Sequence, residues 1–196
     1  SAKAETYGVA ALTVDGLLPH RTTAGGMPLD GPRGSSSSLI LAFLPSIDAQ
    51  WSGQMWPVFR DGFVTRVAGA VGVREHPVGS DQPGDIDSGP LVAGVSLSVS
   101  TVTVAAARAH GDLTLATDLV RQAEVAGVPI DIAGERSYAF GVLPVGDAFL
   151  AWARSVPTAP PEAGPAPRPL WWAWLAPWLV GLGVVLSLGR RSRRRR

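Results

Sequence analysis

The densest chemistry in the chain lies in the stretch SDQPGDIDSGPLVAGV, where Asp81, Asp85 and Asp87 fall within seven residues and Ser88 follows at once. Three carboxylates this close offer oxygen ligands to a hard cation, so they form a candidate calcium loop. The spacing departs from an EF-hand, because Gly89 falls at the fifth loop position rather than the sixth. A solvated acidic turn is the simpler reading. Ser88 is also a candidate nucleophile, and a nucleophilic serine needs a base, for which His76 and His20 are available. The three histidines, His20, His76 and His110, stand far apart with no H-x-H or H-x-x-x-H pair, so no metal set is assigned to them. Lys3 is the one lysine and sits at the terminus, which removes serine–lysine chemistry. The glycines of VAGAVGV lack the strand-to-helix setting of a phosphate loop, and no cofactor is expected.

The segment GDIDSGPL resembles the Gly-Asp-Ser-Gly-Gly-Pro-Leu stretch around the nucleophile of chymotrypsin-like serine proteases. That resemblance implies Ser88 as nucleophile with a histidine base. It departs from the pattern where the chemistry is most demanding. Ile86 occupies the position where that family keeps a glycine for the oxyanion-hole turn, and the second glycine after the serine is missing.

A second concentration is QWSGQMWPVFRDGF, which gathers Trp51, Trp56, Phe59 and Phe63 around Met55. Trp51 and Trp56 are a candidate ligand surface, since amphipathic aromatics anchor glycans and protein partners. Filling the core is the commoner use of such residues.

Charge narrows the partners. The formal net charge is +1, but six of the 17 basic residues are arginines between positions 190 and 196. The rest of the chain is mildly acidic, and without a clustered basic face nucleic acid is not an expected partner. The chain has no cysteine, so disulfides, zinc thiolates and cysteine nucleophiles are all removed.

The C-terminal segment WWAWLAPWLVGLGVVLSLGRRSRRRR reads as a membrane anchor. Residues 170–189 carry no charge and, at 1.5 Å each, extend roughly 30 Å, the thickness of a bilayer core. Trp171, Trp172, Trp174 and Trp178 suit the headgroup layer, and Arg190, Arg191, Arg193 and Arg194 suit a cytoplasmic flank. The expected organisation is therefore an extracytoplasmic globular domain over 1–154, a proline-rich stalk over 155–169, a transmembrane helix over 170–189 and a cytoplasmic tail over 190–196. A removed signal peptide and a cell-membrane location follow from that topology, with the lipid bilayer and other envelope or membrane proteins as partners, while one lysine against 16 arginines and the Ala, Gly, Val and Pro richness suggest a bacterial source.

Hydropathy patterning predicts a mainly β domain, sandwich-like or α+β, with one or two helices. Strands are expected at Tyr7–Leu18 with a turn at Asp15-Gly16, at Ser38–Leu44, across Gly62–Glu75, and most clearly at Val95–Val104. Short strands are expected at PIDI and YAFGVL. A helix is expected from an Asp112 cap to Gly127 and Pro129, and a brief one in GDAFLAWARS carrying Trp152. The expected function is a membrane-anchored envelope protein whose ectodomain binds or assembles rather than catalyses. The alternatives are an accessory subunit of a larger membrane complex, or a tethered hydrolase using the Asp81–Ser88 loop with His76.

Overall fold

The computed structural model describes residues 13–80, 82–132, 134–138 and 144–158. Five helices dominate these residues, in place of the mainly β domain that patterning predicts. They are α1 (Gly34–Phe43), α2 (Ala49–Phe63), α3 (Leu97–Ala109), α4 (Leu113–Gly127) and α5 (Pro144–Ser155). Six short strands are threaded between them: β1 (Val64–Val67), β2 (Ala70–Arg74), β3 (Leu91–Val92), β4 (Val95–Ser96), β5 (Ile130–Ile132) and β6 (Glu135–Ser137).

The correction is sharpest at Val95–Val104, where only Val95 and Ser96 are strand and the remainder begins α3. Ser96 caps that helix, its hydroxyl accepting from Val99 N at 3.1 Å. The hydroxyls of Ser100, Thr101 and Thr103 each donate to the carbonyl four residues earlier. This bonding satisfies them inside an apolar environment, so Ser100 and Thr103 join Val99, Val104 and three consecutive alanines in the core. Burial of α3 against α1, α4, α5 and β2 overrides the modest helix propensity of its β-branched residues.

The run Ser38–Leu44 likewise belongs to a helix, α1, and the following Leu44–Ser46 is one 3₁₀ turn. In α2 the Asp48 carboxylate accepts from Trp51 N at 2.9 Å, and the helix continues through Pro57. Met55, Trp56, Phe59 and Phe63 recur at helical spacing and fill the core, with Phe59 stacked on Phe63 at 5.2 Å and on Trp56 at 5.9 Å.

In the stretch Gly62–Glu75 the first two residues end α2, and Val64–Arg74 is a hairpin turned at Ala68 and Gly69, both of positive φ. A second turn of the same kind at Ala93 and Gly94 joins β3 to β4, giving an antiparallel sheet in the order β1-β2-β4-β3. Helix α4 is as expected, with Asp112 accepting from Leu115 N at 3.0 Å. Its end is not built as expected: Val128 takes the left-handed conformation, while Gly127 leaves room for Tyr138, whose Cδ1 would lie 2.8 Å from an added Cβ. Strand β5 and helix α5 also match expectation, and the Asp15-Gly16 turn is present. Half of Tyr7–Leu18 and most of YAFGVL lie outside the described residues.

The segment 170–189, with Trp171, Trp172, Trp174 and Trp178 and the arginines Arg190, Arg191, Arg193 and Arg194, also lies outside the described residues. Among the described residues no helix is long and apolar enough to cross a membrane. The longest run to 15 residues, about 22 Å against the roughly 30 Å of a bilayer core. The single-pass topology and the cell-membrane localisation are corrected on that finding and are not carried further.

Candidate functional site

Polar side chains converge where β2 delivers its last residues to the N-terminus of α1. Glu75 is 0% exposed, and it closes that helix end. Its backbone oxygen accepts from Gly34 N at 2.8 Å, and its carboxylate accepts from Ser35 N at 3.0 Å and from Ser35 Oγ at 2.9 Å. Free helical amides and the positive end of the helix dipole explain why a carboxylate is held there. Burial pushes the Glu75 carboxyl above its ordinary value, the Ser35 bonds opposing and the nearby Asp85 charge adding to the rise.

Arg33 stands at the N-cap of α1 and bridges two carboxylates, Asp30 at 2.6 Å and Asp85 on the loop. For Asp30 burial works upward but is outweighed by Arg33, so its carboxyl sits below the usual range. Asp85 is held low chiefly by the amide of Ser88, against burial, with help from the amide of Asp87 and from Arg33.

The loop between β2 and β3 is tied down near its start and again from Asp85 to Gly89. Asp85 Oδ1 accepts from the amides of Asp87 at 3.0 Å and Ser88 at 3.1 Å, while the Asp85 oxygen accepts from Gly89 N at 2.9 Å. Ser88 is 1% exposed, and its Oγ accepts from Asp85 N at 2.9 Å. The Ser88 carbonyl accepts from Ser96 Oγ at 2.5 Å, joining the loop to the cap of α3. Arg74 binds across the loop's two ends through the carbonyls of His76, Ser80 and Ala93. His76 is buried, its Nε2 donating to Pro83 O at 3.1 Å. At the tip Ile86 is 99% exposed, with Asp87 exposed beside it.

The expected site residues are thus partly brought together. Asp85 and Asp87 meet, joined by His20, with one ligand atom from each within 4.8 Å of the others. Asp81 lies outside the described residues. Asp85 already carries a guanidinium and two amides, and we assign no ion to the group. His20 Nδ1 lies 3.1 Å from Ser36 Oγ. Among the described residues no hydrogen bond links Ser88 to His76. Trp56 is buried, stacked on His110 at 4.7 Å with 4° between planes, and Trp51 packs half-buried against the core. Sequence reasoning missed Asp30, Arg33 and Glu75. No motif or spacing in the sequence brings these three together.

No protein-family model matches the chain, and no curated protein matches it significantly.

The carboxyls also set a pH dependence. Glu75 and Asp118 have raised folded values, so the stability they contribute is complete below their ordinary values of 4.5 and 3.8 and is lost as pH rises through the folded values. Asp30 and Asp85 have lowered values, so theirs is present above 3.8 and is lost as pH falls through the folded values. Urea midpoints measured across pH are expected to peak in the mildly acidic range and to decline toward neutrality. Glu75→Gln is expected to flatten that decline.

Proposed function

We propose that this is a non-catalytic binding or assembly domain that recognises a protein partner through the loop tip, Ile86 and Asp87. The observation that carries this reading is a wholly exposed isoleucine on a loop whose neighbouring amides, of Asp85, Asp87, Ser88 and Gly89, all have internal acceptors. Ordering a loop costs about 1–2 kcal/mol per residue, and leaving isoleucine in water recovers none of it. Such a loop makes sense as a surface ordered in advance, because a partner then binds without meeting that ordering cost. The matching partner surface is an apolar pocket for Ile86 with a basic or amide donor on its rim for Asp87.

The hydrolase alternative draws no support from the geometry. It needs Ser88 with His76, and both side chains are buried and occupied in holding the loop.

A photo-crosslinking amino acid at position 86 tests the reading in the source cells, with position 53 on the exposed face of α2 as the control. A discrete adduct from position 86, absent from position 53, is expected, as is loss of co-purification of that partner in an otherwise unlabelled Ile86→Asp protein. Indistinguishable adduct patterns from the two positions, or a partner retained by Ile86→Asp, overturn it.

A further inference from the structure

Helices α1 and α5 both pack on α3, and both turn an apolar side to solvent. The exposed residues of α1 are Leu39 and Phe43, one turn apart, and that helix holds no charged residue. Every exposed residue of α5 is uncharged too, with Val145 and Phe149 one turn apart and half-buried Trp152 next on the same side. The two charged groups of α5 are engaged elsewhere. Asp147 accepts from Tyr138 N at 3.0 Å, and Arg154 donates to Tyr138 Oη at 3.1 Å and to Glu124 Oε1 at 2.5 Å.

The two strips form one surface. Phe43 stacks on Trp152 with ring centres 5.6 Å apart, and Phe149 meets Trp152 edge-on at 6.2 Å. Leu39, Phe43, Val145 and Phe149 are between 43% and 70% exposed. The outer side of a surface helix is ordinarily charged or polar, and a continuous apolar face across two helices marks a place that something covers.

The chain carries a matching occupant close by. Helix α5 ends at Ser155, and residues 159–169, rich in proline, separate the described part from residue 170. An extended proline-rich link of that length reaches up to about 34 Å, against about 18 Å for the whole of α5. It can set the following stretch LWWAWLAPW, residues 170–178, anywhere along the face. That stretch has no charge and holds Trp171, Trp172, Trp174 and Trp178. Large aromatic side chains gain most from burial, and they pack well on other rings. A short link also holds its segment at an effective concentration of about millimolar, so a second copy at micromolar concentration competes at roughly a thousandfold disadvantage.

We propose that residues 170–178 dock on the α1–α5 face of their own chain, the indoles covering Phe43, Val145, Phe149 and Trp152. The face lies toward the C-terminal end of α1, whereas the loop is held at its N-terminal end, and neither reading depends on the other.

The test places a photo-crosslinking amino acid at position 149 of the full chain. That protein is mixed with an equal amount of isotopically labelled, otherwise unmodified copies, and the crosslinked peptides are identified by mass spectrometry. The expected product joins position 149 to an unlabelled peptide from 170–178, survives addition of phosphatidylcholine and phosphatidylglycerol vesicles, and is absent when the crosslinker stands at position 53. Val145→Asp, at an exposed position that tolerates the change, should cut its yield by placing a charge within the face. The proposal is overturned if the link reaches labelled copies as often as unlabelled ones, which would make a second copy the occupant. It is equally overturned if vesicles replace the peptide adduct with a lipid adduct, if no adduct with 170–178 forms, or if Val145→Asp leaves the yield unchanged.

Discussion

Gly34→Ala is expected to cost about 3 kcal/mol or more, the largest loss for a single methyl group in this domain. A Cβ at position 34 would lie 2.0 Å from the Arg74 carbonyl oxygen and 2.9 Å from Val99 Cγ1. Neither contact can be relieved by turning a flexible side chain, because the first is backbone and the second belongs to the buried face of α3. Helix α1 would have to withdraw from β2, breaking the Gly34–Glu75 bond and carrying Arg33 away from Asp85. The consequence should reach the loop tip as well as the core. Urea unfolding measures the loss. Gly53→Ala supplies the control: that helical glycine has nothing within 4 Å of an added Cβ, so its substitution is expected to stabilise by about 0.5–1 kcal/mol. If both variants unfold at the same denaturant concentration, the close approach of α1 to β2 is wrong.

Phe59→Ala is expected to cost about 3–5 kcal/mol by removing a fully buried ring. Its neighbours Trp56 and Phe63 are both stacked on it, and Trp56 in turn lies flat on His110, whose Nε2 is 3.1 Å from Ser52 Oγ. The space vacated cannot close without breaking that parallel stack. Near-ultraviolet circular dichroism should lose its tryptophan signal along with the stability. A loss under about 1 kcal/mol, typical of surface substitutions, would show that these rings do not form the centre of the core.

What could be read from the chain follows from how each element announces itself. Helix α4 shows a leucine and alanine stripe behind an aspartate cap, and α5 a similar short stripe, so both were visible. Helix α3 was hidden because serine and threonine count as polar in any hydropathy pattern. Here their hydroxyls bond the carbonyls one turn back, and the true buried stripe runs Val99, Ser100, Thr103, Val104 and Ala107. Counting only the valines of that run produced alternation and hence a strand. Helix α2 was masked by Pro57 and its clustered aromatics, and α1 by its four serines. At the candidate site, Asp85, Asp87 and Ser88 are neighbours in sequence and were found together. Their partners Arg33 and His20 lie more than fifty residues away, and Glu75 joins the group only because β2 ends against α1. No spacing rule reaches that far. The serine's resemblance to a nucleophile also came from sequence alone; in three dimensions its hydroxyl helps to hold the loop.

Amide hydrogen exchange across the loop tests the central claim, an exposed tip held on a fixed backbone. The amides of Asp85, Asp87, Ser88 and Gly89 each have an internal acceptor, and slow exchange is expected at all four, with acceleration in Arg33→Met as Asp85 loses its guanidinium. Exchange at the unprotected peptide rate at those four positions in the parent protein would mean the loop is not ordered in advance, and the recognition role assigned to Ile86 and Asp87 would fall with it.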